Sequence, residues 1–218
     1  MKFEQIAEKI ETYKGQGLKL FTTSSFQTHS MVLLHILSRI DKTIPVYFMH
    51  TGYHFPETLQ YRDDIQSLLG LNIRTVYSST AKINQRDVNG KLLFASDPDY
   101  CCHLNKVAPL EPVLAEHDIW INGVRADQGE VRKNFGIEEK AKFGAVRFHP
   151  MLDWNNKMIY EYLNEYKIPR HPLEDKGYFS IGCEPCTRKW DLEMDSRDGR
   201  WYGLKKTECG LNTDLVTK

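Results

Sequence analysis

Cys209 lies in the polar segment KKTECGLN near the C-terminus, with Lys205 and Lys206 just before it and Arg197 and Arg200 a little further back. A cysteine attacks as its thiolate, and cationic neighbours favour that form. A free thiol on a polar tail is chemically costly to keep, so Cys209 reads as a reactive residue rather than an incidental one. The other four cysteines form two pairs, the adjacent Cys101-Cys102 and the C-x-x-C of Cys183-Glu-Pro-Cys186. Four thiolates suit a tetrahedral structural zinc ion, and they also suit an iron–sulfur cluster. A vicinal pair is an awkward zinc knuckle, which moves the spacing modestly toward the cluster. A C-x-x-C also serves as a redox pair, but that leaves Cys101-Cys102 without a role.

Lys106, Arg125, Arg188, Arg197 and Arg200 fall in or near the same stretches. Arginine offers a rigid fork of donors matched to phosphate and sulfate oxygens. Taken singly, each is an ordinary surface cation; beside a cysteine tail, the set fits an anionic substrate. Two loops point the same way. Thr22-Thr23-Ser24-Ser25-Phe26-Gln27-Thr28-His29-Ser30 joins an expected strand to an expected helix, where hydroxyls and free backbone N–H groups seat an anion. Helix capping alone also explains them, and the G-K-[ST] ending of a Walker loop is absent. MHTGYHFPETL places Thr51 and Gly52 at the end of the next strand, where a glycine permits close backbone approach or simply a turn.

The elements that must hold these residues follow from periodicity. Phe3, Ile6, Ile10 and Tyr13 recur at helical spacing, and MVLLHILSRI and PETLQYRDDIQSLLG predict two further helices. LKLFTTS (18–24), PVYFMHTG (45–52), NIRTVYS (72–78) and DIWINGV (118–124) predict strands. LDWNNKMIYEYLNEYKI (152–168) predicts a last helix with Asp153 as its N-cap. Strands alternating with helices imply βαβ units and a parallel sheet covered on both faces. The expected division is a nucleotide-binding α/β domain over residues 1–168 and a C-terminal segment, 169–218, that packs on the same domain as an irregular tail.

Lys+Arg 29 against Asp+Glu 29 leaves no net charge, which argues against nucleic acid or a membrane surface as partner. The N-terminal sequence MKFEQIAEKIETYKG carries acidic residues and an amphipathic pattern, unlike a signal peptide. A cytoplasmic location is therefore expected, where thiols stay reduced and metal binding or catalysis outweighs disulfides as the reading of five cysteines. Homo-oligomerisation is left open.

With these residues in view, the chain resembles the adenylyl sulfate and phosphoadenylyl sulfate reductase family almost end to end. CCHLNKVAPL, INGVRADQ, HPLEDKGYFSIGCEPCTRKW, RDGRWYG and KTECGLN match its motifs in order, and the four cysteines place it with the iron–sulfur branch. The resemblance implies the adenine-nucleotide α-hydrolase (PP-loop type) fold. It implies a [4Fe–4S] cluster on Cys101, Cys102, Cys183 and Cys186, Lys106 between cluster and substrate, and Cys209 as nucleophile. Arg125, Arg197, Arg200 and Trp201 would hold the nucleotide's sulfate and phosphate, with Ser24, Ser25 and Phe26 in the modified phosphate loop and Thr51 and Gly52 in a D-T-G-like turn. The implied reaction is thioredoxin-dependent reduction of adenylyl sulfate to sulfite and AMP through an S-sulfo-cysteine, within sulfate assimilation. Phosphoadenylyl sulfate is the alternative substrate, and a zinc-bound nucleotide-binding regulator the alternative of another class. His50 stands where the family turn has Asp, Ala126 where a second Arg is usual, and Asn212 where ECGLH ends in His. The SSFQTHS loop is closer to that of cluster-free, phosphoadenylyl-type enzymes. These departures bear on nucleotide preference and on placement of the thiolate.

Overall fold

The computed structural model describes residues 1–192, 199–201, 206 and 208–216. Helices α1 (Phe3–Gly15), α2 (Ser30–Ile40) and α3 (Pro56–Leu69) alternate with strands β1 (Leu20–Thr23), β2 (Pro45–His50) and β3 (Asn72–Tyr77), as the periodicity predicts. Short helices α4 (Leu93–Ser96) and α5 (Pro98–Cys102) then lead through a π-helical turn, His103–Val107, into α6 (Ala108–Ala115). After β4 (Ile119–Ile121) come α7 (Glu130–Lys133), β5 (Glu138–Lys140), β6 (Val146–Phe148) and α8 (Asn156–Glu165).

The strands form one sheet in the order β3-β2-β1-β4-β6-β5, parallel except for β5, which runs antiparallel against β6. Alternation along each strand sends side chains to opposite faces. Leu20, Val46, Phe48, Ile119 and Ile121 meet α1, α2, α3 and α8 through Ile10, Val32, Ile65 and Leu163. Phe21, Tyr47, Met49 and Trp120 meet α6 through Leu110 and Leu114 on the other face. Each such side chain, fully buried, contributes about 1.5–3 kcal/mol. Leu215, almost at the end of the chain, is fully buried in this second face. The expectation of a parallel sheet covered on both sides therefore holds, and the strand order reverses between β1 and β4, where open α/β sheets form their ligand crevice.

The π turn has a cause in the sequence. Pro109 has no N–H to close on the carbonyl four residues back, and its ring presses against that carbonyl. Widening the turn relieves the clash, and the Ala108 N–H reaches the His103 carbonyl instead.

The expected cap of the last helix is wrong by two residues. Asn155 is extended and its carboxamide oxygen accepts from the Met158 N–H at 3.0 Å, whereas Asp153 pairs with the N-terminal ammonium of Met1. Both residue types cap well; the tight turn at Met151–Asp153 delays the helix start and hands the cap to Asn155. Asn155→Ala is expected to destabilise the fold by about 1 kcal/mol, and Asp153→Ala, which breaks a half-exposed ion pair, by less; thermal denaturation followed by circular dichroism measures both.

Candidate active site

Loops from the carboxyl ends of β1 and β4 wall a cavity of about 1010 Å³ at the switch point. Ser24 and Ser25 line it from the first loop, Arg125 from the second, Lys106 from the π turn, and Arg200, Trp201 and Cys209 from the C-terminal segment. A smaller, neighbouring cavity is ringed by Cys101, Cys102, Cys183 and Cys186, and Thr51, Lys106, Arg200 and Trp201 also line it. Lys106, Arg200, Trp201 and Cys183 border both cavities. The chain thus gathers residues more than a hundred positions apart onto one crevice.

Four residues expected at the site stand otherwise. Phe26 is fully buried with its ring against Phe48, 5.6 Å between centroids, so its side chain serves the core while its backbone, at φ 53°, bends the loop. The Phe26 N–H is taken by Ser24 Oγ at 3.0 Å. Gly52 lines neither cavity; its φ of 73° is the reason a glycine stands there, and its carbonyl accepts from Lys82 Nζ at 2.9 Å. Thr51 serves the cysteines, with Oγ1 3.2 Å from Cys183 Sγ. Arg197 lies outside the described residues.

The Cys183–Cys186 turn is docked by backbone. His54 and Cys183 form an antiparallel bridge, the Glu184 N–H donates to the Tyr53 carbonyl at 2.7 Å, and the Cys186 N–H closes the turn on the Cys183 carbonyl at 3.0 Å. Thr187 pairs with Arg200, and the Trp201 N–H donates to the Cys186 carbonyl at 2.9 Å, so the turn also carries the basic segment. Gly182 makes room for it: a Cβ there would lie 2.5 Å from Arg200 Cζ. The Arg200 guanidinium instead crosses the Gly182 backbone, donates to the Ile181 carbonyl at 3.1 Å and stacks on Trp201.

On the opposite wall, Cys101 and Cys102 end α5, whose N-cap Asp97 accepts from Tyr100 N–H at 2.9 Å. Beneath them the buried carboxamides of Asn105 and Gln85 exchange two hydrogen bonds, 2.6 and 3.0 Å, and Asn105 also donates to the Cys101 carbonyl at 2.8 Å. Neither amide was expected from the sequence; the N of CCHLNK, one turn past Cys101, was the available signal.

Burial, then mutual repulsion among the sulfurs, pushes the Cys101 thiol up to about 12 and the Cys186 thiol up to about 11. Burial likewise raises Cys102, although Lys106 opposes it. Burial thus opposes ionisation at Cys101, Cys102 and Cys186, and metal binding is what favours the thiolate form at such positions. Tyr53 Oη, on the same cavity, is buried without a hydrogen-bond partner. Among the described residues, no three His, Cys, Asp or Glu side chains converge closely enough to hold one metal ion. Lys106 carries the electrostatics between the two cavities. Burial would lower its ammonium, yet Cys183, Cys209 and Cys102 together raise it above its ordinary value.

Arg125 is buried, its Nε 2.9 Å from Asp127 and one terminal nitrogen 2.5 Å from Asn156 Oδ1, while Nη1 has no partner and is available to an anion in the cavity. Burial, with Arg125 adding to it, pushes His29 down to about 4, so this wall presents a neutral imidazole beside a guanidinium. No helix among the described residues is long and apolar enough to cross a membrane.

A mostly parallel open sheet with Lys106, Arg125, Arg200 and Cys209 around its switch-point crevice defines an α/β protein with a polar ligand site at the carboxyl ends of its strands. Comparison makes it particular: the family model described as phosphoadenosine phosphosulfate reductase domain matches residues 19–189, and the chain belongs to that family. A protein of Rhodococcus erythropolis named adenosine 5'-phosphosulfate reductase is 40% identical over 182 residues, 83% of this chain and 74% of the relative. One of the same name from Bacillus cereus is 36% identical over 202 residues, 92% and 86% of the two chains. In fold, the phosphoadenylyl-sulfate reductase of Candida auris superposes with a TM-score of 0.70 at 21% identity, covering 84% of this chain and 89% of that one. Candida glabrata FMN adenylyltransferase follows at 0.58 and 13%, covering 92% and 66%.

Asn105→Ala would leave the Gln85 carboxamide buried and unpaired. A loss of about 1–3 kcal/mol is expected, read as a lower midpoint in urea denaturation with an unchanged slope.

Proposed function

We propose that the chain reduces adenylyl sulfate to sulfite and AMP in sulfate assimilation, with Cys209 as the nucleophile. The observation that carries this reading is the place of Cys209 on the cavity lined by Lys106, Arg125 and Arg200, in a chain whose relatives are named for that reaction. The Cys209 thiolate attacks the sulfate sulfur, an S–S bond forms, and the S–O bond to AMP breaks with its electron pair on the departing phosphate. A dithiol protein, thioredoxin by resemblance, then attacks Cys209 Sγ; sulfite leaves with the bonding pair, and the second thiol resolves the mixed disulfide. Sulfur is reduced by two electrons and the dithiol is oxidised by two.

A thiolate approaching a sulfate ester is opposed by like charge. Lys106, Arg125 and Arg200 offset that charge, and one well-placed donor is worth about 3–4 kcal/mol in a water-poor site. Trp201, stacked on Arg200, limits its freedom. Cys101, Cys102, Cys183 and Cys186 would hold a [4Fe–4S] cluster. Four thiols around one cavity suit such a cluster, and the vicinal Cys101-Cys102 pair makes an awkward zinc knuckle. When bound it supplies a fixed charge next to Lys106 and a clamp between residues 101–102 and 183–186. The reaction belongs to the cytoplasm, where a reduced dithiol is at hand.

Phosphoadenylyl sulfate is the second reading, favoured by the family description and by the SSFQTHS loop. Sulfite release from each nucleotide with thioredoxin separates the two: faster turnover of adenylyl sulfate is expected, and faster turnover of the 3'-phosphorylated nucleotide overturns it.

Cys209→Ser is expected to abolish turnover and the sulfite-sized mass addition on the terminal peptide, while leaving any visible absorption intact; turnover at the unsubstituted rate would sink the scheme. Cys183→Ala is expected to lose iron from anaerobically purified protein, measured as about four irons per chain before substitution; one zinc instead would favour the regulator.

A further inference from the structure

The turn that carries Cys209 is gripped from two sides. Arg132 donates to the Glu208 carboxylate through two nitrogens, 2.7 and 2.8 Å, in a pair that is almost fully buried. The same carboxylate accepts from the Cys209 N–H at 2.8 Å and from the Asn212 carboxamide at 3.1 Å. Arg147 Nη2 donates to Asn212 Oδ1 at 2.7 Å. Arg147 is fully buried, sandwiched 4.9 Å from the Trp120 ring and 5.1 Å from Phe135, and its Nε and Nη1 have no partner. Burial pushes its guanidinium down to about 10, so it stays charged at neutral pH. A buried cation with one hydrogen bond is a costly arrangement for stability alone; its bond to the residue three places after the nucleophile gives it a purpose.

The turn also fits tightly. A Cβ on Gly210 would lie 2.9 Å from Val107 Cγ2, so the residue after Cys209 presses on the residue after Lys106. Beyond the turn, the Lys142 N–H donates to the Leu215 carbonyl at 3.1 Å, with Leu215 in the core. Nucleophile and ammonium are thus set relative to one another by packing.

We propose that Glu208 and Asn212, held by Arg132 and Arg147, form a latch that fixes the Cys209 backbone over the cavity in the attitude from which its sulfur attacks. Glu208 and Arg147 stand back from the cavity, whereas Arg132 and Asn212 also line it; the role assigned to all four is to position the nucleophile. At position 212, where the family has His, the carboxamide accepts from Arg147 and donates to Glu208 at once. It rests on the reading of Cys209 as nucleophile, and the experiment keeps the two apart.

Glu208→Ala and Asn212→Ala, with Arg147→Met as a third variant, are compared with the unsubstituted full chain. Two quantities are measured. The first is the rate at which iodoacetamide alkylates Cys209 without nucleotide, resolved by peptide mass spectrometry. The second is single-turnover AMP release together with nucleotide affinity. Alkylation is expected to accelerate roughly tenfold, the change in opening that losing one hydrogen bond to a charged group brings. AMP release is expected to slow about a hundredfold through misplacement, with nucleotide affinity unchanged. Unaltered alkylation in variants with native circular dichroism overturns the latch. So does a normal rate of AMP release despite faster alkylation, and so does affinity lost in step with rate, which would make these residues substrate ligands. If the unsubstituted chain releases no AMP from either nucleotide while the alkylation rates still shift, the latch stands and the nucleophile reading falls.

Discussion

Keeping an ammonium charged inside a protein requires anionic or polarisable groups around it, and the arrangement about Lys106 is built on that demand. Desolvation works against the charge; Cys183, Cys209 and Cys102, as thiolates, work for it and prevail. Those three sulfurs come from three separate stretches, so the condition is met only when the β2 loop has docked the Cys183 turn and the C-terminal segment has returned to the sheet. The same cation then lies between the thiol-ringed cavity and the larger one.

The sheet makes this convergence inexpensive in chain length. Because the order reverses between β1 and β4, their two loops diverge and leave a crevice at the carboxyl ends, as in other open α/β sheets. Chemistry is then grafted on from outside the βαβ units, by the π turn and by the irregular segment after residue 169. The π turn is the price of Pro109 in the helix, and it places Lys106 toward the sulfurs rather than along the surface.

Much of this was legible in the residues themselves. The first three strands and helices follow from alternating periods, and the five cysteines singled out by spacing are brought to two adjoining cavities. What escaped was set by tertiary packing. Nothing in VRF marks Arg147 as a fully buried cation, because burial of an arginine depends on the Trp120 and Phe135 rings brought to it. Asn155 displaced Asp153 as the helix cap because a turn precedes the helix, and both residues suit the role equally. Phe26 reads as part of an anion loop by position, yet its ring turned inward to Phe48 while its hydroxyl neighbours stayed on the cavity. The Asn105–Gln85 pair joins residues twenty positions apart, beyond any local pattern.

Leu215 ties the reactive end of the chain to the interior of the fold. A molecule clipped or prematurely terminated before residue 209 would lose Cys209 and leave a void beside Trp120 and Leu114 in the same event, and voids of that kind lower stability. Such a product would be prone to unfolding and proteolysis instead of persisting as an inert competitor for the nucleotide. Quality control of the folded state thereby doubles as quality control of the chemistry.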